Sequence, residues 1–488
     1  MLPVSGIQRH KAAIHRAGLS RPVRLAVKAG LFETGTTFFD YGCGHGGDVI
    51  CLSKLGYESS GWDPYYFPNN PRNSADIVNL SYVLNVIESL QERQETLLRA
   101  WSLTRKVLIV AGQVLFADQG KVRIACGDGI VTQRNTFQKY FEQSELKYYI
   151  DQILHVDSIP AALGIYFVFR DEIHNQKFRA SRFHTRTPIP RVRTGVNQFE
   201  DYRQLLKPFI DFISTRGRLP VKGELSSESQ ILSEFGTFRR AFSLVLQATE
   251  KYEWEAIAEK HKQDLLVYVA LSRFSRRPRF TELPSEFQND IKTFCGTYKN
   301  ACQTADSLLF SLGKPETLAS KCRLSKFGKL VNDSLYVHVS ALEKLDPILR
   351  LYEGCASRTI GRMNEVTLIK FRLDRPKISY LYYPSFDTDA HPALQTSMQI
   401  DLRDLYVNYR DYSASENPPI LHRKELLVTT DYPLYTRFAK LTRQEEKWGL
   451  LDEPLSIGTR KGWFERLEKC GLAIRGHRVV RLKTAKDR

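Results

Sequence analysis

The chain has 488 residues, which at roughly 150 residues per domain predicts about three domains. Its 71 Lys and Arg outnumber its 54 Asp and Glu, and the net charge of +17 favours a polyanionic partner, either nucleic acid or an anionic membrane surface. The 42% of apolar and 11% of aromatic residues exclude wholesale disorder. Because no Cys-x-x-Cys spacing, leader pattern or membrane-length apolar segment occurs, we expect a cytoplasmic protein without a metal centre or disulfide framework.

Short apolar runs alternate with helical patterns in the first third of the chain, which is typical of a parallel sheet flanked by helices. The predicted strands are residues 38–40, 57–62, 75–79, 106–111 and 165–169, and two predicted helices are residues 49–55 and 90–103. We therefore predict an α/β, Rossmann-like domain over residues 35–172, preceded by a basic helical extension at residues 1–34.

The remaining chain divides by composition and periodicity. A basic linker at residues 173–198 contains two prolines and no acid after Glu172 until Glu200, and a mostly helical domain follows at residues 199–330. Residues 331–433 are predicted to form an α/β domain, with strands at 336–339, 366–371, 378–383 and 398–402. Residues 434–488 are predicted to form two helices and two strands, at 472–474 and 479–482, resembling a winged helix.

A glycine-rich turn follows the first predicted strand, because residues 38–47 place an acid and four glycines directly before a helix. Glycines let the backbone bend sharply and approach a ligand that a Cβ atom would exclude. Gly42, Gly44 and Gly47 also fit the weak G-x-G-x-x-G fingerprint of dinucleotide sites. The carboxylate of Asp40 would repel a pyrophosphate but attract an ammonium group, so the turn favours S-adenosylmethionine over a nicotinamide cofactor.

A second acid, Asp63, ends the next predicted strand, where a carboxylate can accept hydrogen bonds from both ribose hydroxyls. Only twelve residues separate it from Asp76, too few for a third strand and its helices, so we expect a rebuilt adenine side. Trp62, Pro64 and Tyr65 could supply a stacking wall, although Trp62 equally suits the core. The residues expected to contact the cofactor are Asp40, Tyr41, Gly42, Cys43, Gly44, Gly46, Asp63, Pro64 and Ser81. Alternatively, the glycines form only a tight turn and the acids only surface charge.

The methyl acceptor would meet the end of the third predicted strand, where the chain reads Asn79-Leu80-Ser81-Tyr82. Enzymes that methylate exocyclic amines place an amide and an aromatic ring there, so Asn79 could orient an amine and Tyr82 could stack on a flipped base. The alternative, in which Asn79 caps the strand and Tyr82 packs on the sheet, stays open. No Pro-Cys pair occurs, which disfavours C5-cytosine chemistry. His422, between prolines and bases, suits either a phosphate contact or a solvated turn.

Several blocks resemble the bacterial DNA phosphorothioation-associated methyltransferases, a family within the class I S-adenosylmethionine-dependent superfamily. The blocks are residues 39–44, 61–66, 78–80, 82–88, 352–355 and 417–425. The resemblance spans nearly the whole chain, including the short interval between the second and third predicted strands. It implies a class I methyltransferase domain at the start, S-adenosylmethionine as cofactor, a cytoplasmic location, and partners from a sulfur-modification or defence system.

Basic residues interleaved with aromatic ones suit a groove that follows a nucleic-acid backbone and stacks bases. The expected nucleic-acid contacts are Arg182, Arg186, Arg191, Arg193, Arg276 and Arg277. We predict a DNA methyltransferase. RNA is a substitute acceptor, because a basic groove does not distinguish sugars. A second hypothesis is a DNA-binding defence accessory whose cofactor-binding domain transfers nothing, and a nicotinamide oxidoreductase is the third.

Overall fold

The computed structural model describes residues 7–114, 124–183, 185, 187–190, 197–363 and 365–482. No helix within these ranges is both long and apolar enough to cross a membrane. Up to residue 170 the described chain has nine strands, β1 (Thr37–Tyr41), β2 (Glu58–Trp62), β3 (Ala75–Ser81), β4 (Thr104–Ala111), β5 (Ile124–Cys126), β6 (Gly129–Val131), β7 (Phe137–Gln138), β8 (Ile159–Ala162) and β9 (Ile165–Phe169). The α-helices of the described chain up to residue 181 are α1 (Arg21–Lys28), α2 (Gly47–Lys54), α3 (Leu90–Leu103), α4 (Gln143–Leu154) and α5 (Glu172–Ser181).

Six of these strands form the first sheet, in the order β2-β1-β3-β4-β9-β8. Strands β1 to β4 are parallel, whereas β9 runs antiparallel to both β4 and β8. A Rossmann-like sheet reverses its order beside the first strand, and here the reversal falls between β1 and β3. No third strand lies outside β2 in the described chain, which agrees with the short interval between Asp63 and Asp76. The predicted Rossmann-like fold is therefore confirmed.

Both faces of the first sheet are covered, which explains why its strands are almost continuously apolar. Phe39 packs with Leu97 of α3 and Leu146 of α4 on one face. Its neighbour Phe38 packs with Val23 of α1 on the other face. Successive side chains of a strand point to opposite faces, so a strand buried on both sides needs apolar residues at every position.

Strands β5, β6 and β7 form a small antiparallel sheet between β4 and α4 that the sequence does not predict. Asp128, in the turn between β5 and β6, connects this small sheet to α3. Its carboxylate accepts hydrogen bonds at 2.7 and 3.1 Å from the buried guanidinium of Arg93 on α3. Lys139 also pairs with Asp128, at 3.1 Å. The small sheet thus stands at a fixed place beside the carboxyl ends of the parallel strands.

The middle of the chain is helical, as predicted. Its helices are α6 (Asn197–Arg216), α7 (Glu228–Phe235), α8 (Phe238–Ala248), α9 (Lys251–Leu271), α10 (Ser285–Cys295), α11 (Tyr298–Ser311) and α12 (Pro315–Arg323). Asp264 of α9 connects these helices to two other parts of the chain. Its carboxylate accepts hydrogen bonds from Thr185 of the predicted linker and from Arg350 further along the chain. The predicted division into six segments stays a prediction.

The second sheet is antiparallel throughout and contains β10 (Lys329–Val331), β11 (Ser334–His338), β12 (Leu368–Arg372), β13 (Lys377–Tyr382), β14 (Thr396–Asp401) and β15 (Val407–Asp411) in sequential order. Helix α13 (Pro347–Thr359) packs on one face through Leu349 and Tyr352. The chain continues with α14 (Tyr435–Lys447), α15 (Arg460–Lys469) and a hairpin of β16 (Leu472–Arg475) and β17 (Arg478–Arg481). The predicted helices and hairpin are present, while their assignment as a winged helix stays a prediction.

Candidate active site

The glycine turn between β1 and α2 has the sharply bent backbone that the sequence predicts. Gly42, Gly44 and Gly46 all have positive φ, at 83°, 53° and 75°. A Cβ atom added to Gly42 would lie 2.5 Å from Cγ2 of Val83, closer than two carbon atoms can approach. The amides of Gly42 and Cys43 donate to the carbonyl of Trp62 at 2.8 and 3.1 Å. Glycine at position 42 is therefore required by both conformation and space.

A cavity of about 630 Å³, here called the first cavity, opens at the carboxyl ends of β1, β2 and β3. Ligands of open α/β sheets bind at this edge, next to the point where the strand order reverses. The predicted cofactor residues on its wall are Tyr41, Gly42, Cys43, Gly44, Asp63, Pro64 and Ser81, and Trp62, Tyr65 and Tyr82 are there too. Its volume is within the range of small-molecule sites, about 300 to 1,000 Å³. Gly46 does not line it and instead caps the start of α2.

The carboxylate of Asp63 accepts three backbone hydrogen bonds at the entrance of the first cavity. One carboxylate oxygen accepts from the amide of Gly44 at 3.1 Å, and the other accepts from the amides of Tyr65 and Tyr66 at 2.9 and 3.0 Å. A carboxylate has about four acceptor positions, so the protein uses three and leaves about one for a ligand. The predicted grip on both ribose hydroxyls would therefore require one of these backbone bonds to be given up.

Asp40 and Asn79 lie behind the cavity wall instead of on it. Asp40 is 4% exposed and Asn79 is 2% exposed, and the amide of Asn79 donates to Asp40 at 2.8 Å. The hydroxyl of Ser81, which does line the cavity, donates to the carbonyl oxygen of Asn79. Because both ends of the amide are used, these contacts fit the interpretation that Asn79 fixes the strand end. Its role in orienting an acceptor stays a prediction.

The buried position of Asp40 changes its acidity. Burial raises the pKa of its carboxyl to about 7, and the neighbouring carboxylate of Asp48 acts in the same direction, while the hydrogen bond from Asn79 opposes them. Desolvation disfavours the charged form of an acid, which explains the sign. Asp40 is thus poised to gain or lose its proton near neutral pH.

The segment 7–16 lies over the first cavity, and we call it the cover segment. The His10 ring stacks on Tyr65 with centroids 3.9 Å apart, and the hydroxyl of Tyr66 donates to the carbonyl of His10 at 3.0 Å. Arg9 pairs with Glu88 at 2.9 Å and with Glu92 at 2.6 Å. Although burial acts to raise it, the hydrogen bond from Arg9 lowers the pKa of Glu88. The sequence predicts a basic helical extension here and does not predict that it covers a cavity; the interleaved histidines were the available signal.

A second cavity of about 670 Å³ lies on the other side of the cover segment, between α1, the strand ends and the small sheet. Among the described residues, the charged side chains that line it are all basic: Lys11, Arg16, Arg21 and Arg134. Asn85 on its wall is 2% exposed, and its side-chain oxygen has no hydrogen-bond partner among the described residues. The second cavity therefore presents positive charge and an unused buried acceptor.

Tyr82 lines both cavities and has an unusual backbone. Its φ is 60°, and its amide donates to the carbonyl of Ala111 at 2.7 Å. Positive φ is rare for a bulky residue and concentrates at functional sites. The structure places this predicted residue on the wall of both cavities, and its side chain also packs against the core of the first sheet, as the alternative prediction has it. Whether it acts in catalysis stays a prediction.

The predicted nucleic-acid residues do not form one described patch. Arg276 is 70% exposed and pairs with Glu282 at 2.5 Å, whereas Arg277 is held by Asp306. Arg182 donates to the carbonyl of Pro160 at 3.1 Å, and burial, followed by the charge of Arg362, lowers its pKa to about 10. Arg182 and Arg277 thus serve the protein's own packing. The others, Arg186, Arg191 and Arg193, lie outside the described residues.

Comparisons with known proteins give only partial structural matches. No protein-family model matches the chain, and no curated protein matches it in sequence. Among solved structures, the chain is similar to the 1,6-didemethyltoxoflavin-N1-methyltransferase of Burkholderia thailandensis with bound 1,6-didemethyltoxoflavin and S-adenosylhomocysteine. The TM-score is 0.23 and the sequence identity is 13%, and the match covers 30% of this chain and 75% of that one.

Two further matches are of the same kind. Magnesium protoporphyrin IX methyltransferase from Synechocystis, with bound S-adenosylmethionine, matches with TM-score 0.22 and 16% identity. This match covers 31% of this chain and 76% of that one. The CcbJ methyltransferase of Streptomyces caelestis has TM-score 0.23, 11% identity, and coverage of 33% and 93%. The chain's own sheet topology and its two cavities therefore indicate what the site can bind.

Proposed function

We propose that the chain is an S-adenosylmethionine-dependent methyltransferase, with the cofactor in the first cavity and the methyl acceptor in the second. The observation that carries the proposal is the junction of the two cavities at Tyr82, because methyl transfer requires donor and acceptor to meet in line. The first cavity lies at the sheet edge where nucleoside cofactors bind in Rossmann-like folds.

The residues of the first cavity fit this cofactor. Gly42 and Gly44 expose backbone that a Cβ atom would cover, Asp63 retains about one acceptor position for a ribose hydroxyl, and Tyr65 offers a ring at the mouth. When bound, the cofactor supplies an electrophilic methyl group on a positively charged sulfur. The carboxylate of Asp40 lies behind the wall and favours the ammonium end through Asn79 and through Ser81, which lines the cavity.

The protein's own contribution to the transfer is orientation and exclusion of water. The cover segment lies over the first cavity, where its contacts to Tyr65 and Glu88 hold it. Tyr82 lines both cavities, and we propose that its ring holds a planar acceptor against the donor. Few chemical groups are needed, since a sulfonium transfers its methyl group without covalent help from the protein.

We further propose that the acceptor belongs to a nucleic acid, with DNA first. The support is the second cavity, where four bases are the charged side chains that the described part of the chain contributes. The amide groups of Gln113, Gln133 and Gln138 on the same wall can read the edge of an extruded base. A net charge of +17 favours the same partner. The blocks that resemble phosphorothioation-associated methyltransferases support a role beside a sulfur-modification or defence system.

The experiment is to supply S-adenosylmethionine with a deuterated methyl group to the full chain with genomic DNA, tRNA or protein extract. Mass spectrometry of the hydrolysed products should find a deuterated methyl group in a DNA nucleoside. Tyr82→Ala should reduce the yield about 100-fold, a positioning effect, while Tyr252→Ala, an exposed tyrosine of α9, should not change it. Label in RNA alone would contradict the choice of DNA. Cofactor binding without label in any product would favour the non-catalytic accessory.

A further inference from the structure

Two histidines and a glutamate from three separate segments meet in the C-terminal half of the chain. His391 lies in the loop between β13 and β14, His422 follows β15, and Glu445 is on α14. Their candidate ligand atoms all lie within 4.8 Å of one another. The side chains of His391 and Glu445 are 7% and 0% exposed, and His422 is 9% exposed. None of the three belongs to the two cavities of the proposed methyltransferase site.

The outer nitrogen of each imidazole contacts a backbone carbonyl. His391 Nδ1 is 3.0 Å from the carbonyl oxygen of Leu421, and His422 Nε2 is 2.8 Å from that of Ile457. A carbonyl only accepts, so each of these nitrogens carries the proton. In a neutral imidazole the other nitrogen then bears a lone pair, which here belongs to His391 Nε2 and His422 Nδ1. Metal-binding histidines are oriented in this way by a carbonyl or carboxylate.

The inward-facing atoms have no hydrogen-bond partner among the described residues. They are His391 Nε2, His422 Nδ1 and both carboxylate oxygens of Glu445. His391 Nε2 is only 2.7 Å from Glu445 Oε1, yet the geometry does not make a hydrogen bond. A lone pair this close to a buried carboxylate is unfavourable unless a cation contacts both groups.

A proton alone does not account for the cluster. A proton on His391 would pair that ring with one oxygen of Glu445, but His422 Nδ1 and the second oxygen would still lack a partner. A divalent cation accepts lone pairs from all the groups at once and neutralises the carboxylate. The ring of Trp463 on α15 covers the site, with its centroid 4.5 and 4.6 Å from those of His391 and His422.

We propose that His391 Nε2, His422 Nδ1 and Glu445 bind a divalent transition-metal ion, with zinc as the ion whose preferences match two imidazoles and one carboxylate. With three protein ligands, zinc would hold a water molecule at its fourth position. Because the ligands come from two loops of the second sheet and from α14, and Trp463 of α15 covers them, the ion would fasten the last two helices to that sheet. This role is independent of the proposed methyl transfer.

The test uses the full chain purified without chelator, with metal content measured by plasma mass spectrometry. We expect about one zinc ion per chain, a fall in Tm of several degrees after chelation, and recovery on adding zinc. Cobalt(II) added to the chelated protein should give the visible absorption bands of a protein-bound ion with nitrogen and oxygen ligands.

His422→Asn and Glu445→Gln should each lower bound zinc at least about tenfold. His338→Asn should retain it, because His338 is also a buried imidazole but contacts Ser340 outside the cluster. The cobalt spectrum of the unaltered chain decides the matter if the variants do not fold. Less than about 0.1 metal ion per chain after incubation with zinc, with no cobalt bands and no change in Tm, would overturn the proposal.

Discussion

Asp40 connects the acidity of a single buried carboxyl to both folding and cofactor binding. Its pKa of about 7 lies above the ordinary value of 3.8, because burial and then Asp48 disfavour its charge. Between these two pH values the unfolded chain has lost a proton that the folded chain keeps, so stability falls as pH rises. We expect Asp40→Asn to raise Tm at about pH 8 and to change it little near pH 3. Calorimetry that finds Asp40→Asn less stable than the unaltered chain at the higher pH would contradict the buried-acid explanation.

The same carboxyl predicts a pH dependence of binding. From about pH 6 to pH 7.5 Asp40 becomes charged, so affinity for S-adenosylmethionine should rise several-fold in the unaltered chain and stay flat in Asp40→Asn. Adenosine is the matched control ligand, because it has the same nucleoside end but no ammonium group. An equal pH dependence for adenosine, measured by the same titrations, would show that Asp40 does not sense the ammonium.

Alanine substitutions at Gly42 and Gly30 distinguish the cost of backbone strain from the cost of steric overlap. Both have positive φ, but a Cβ atom at Gly42 would meet Val83 at 2.5 Å, whereas one at Gly30 would meet nothing within 4 Å. We expect Gly30→Ala to cost about 1 kcal/mol of unfolding free energy. Gly42→Ala should cost about 1 to 3 kcal/mol more and also weaken cofactor binding. Equal losses of unfolding free energy in denaturant titrations would mean that Val83 moves aside.

The cover segment is the element on which retention of the cofactor depends. Arg9 attaches it to Glu88 and Glu92 on the opposite side of the first cavity. Because these pairs are partly exposed, each contributes up to about 1 kcal/mol, so Arg9→Ala should speed cofactor release about 3- to 30-fold. Arg24→Ala, which removes an exposed base from α1, should leave the rate unchanged. Stopped-flow fluorescence with unchanged release in Arg9→Ala would rule out a covering role.

Strands with a buried apolar run of about five residues or more could be predicted from the sequence, and the shortest strands could not. Every predicted strand of the first and second sheets ends within two residues of the observed strand, because buried β-branched and aromatic runs are distinctive. Strands β5 to β7 have two or three residues each, too few to show a period. The glycine turn and Asp63 could be predicted because each directly follows an apolar strand. The burial of Asp40 and the cluster at His391 depend on contacts between distant segments, which no local pattern shows.

At the scale of the whole molecule, the surplus of 17 positive charges should govern association with DNA. Because binding releases counterions, the logarithm of the binding constant falls linearly with the logarithm of the salt concentration, with a slope of about 0.9 per phosphate contacted. Lys11→Ala and Arg134→Ala remove exposed bases from the second cavity, and each should reduce the slope by about 1. Arg375→Ala, which removes a base paired with Asp374, should not. Salt-independent binding would contradict an electrostatic interface.

If the first cavity binds S-adenosylmethionine, isothermal titration of the full chain with this compound should detect one site with a dissociation constant of about 1 to 100 μM, which corresponds to about −8 to −5.5 kcal/mol. Asp63→Ala should bind at least about tenfold more weakly. No heat with S-adenosylmethionine or S-adenosylhomocysteine, together with clear binding of a nicotinamide dinucleotide, would mean that the cavity serves a different cofactor.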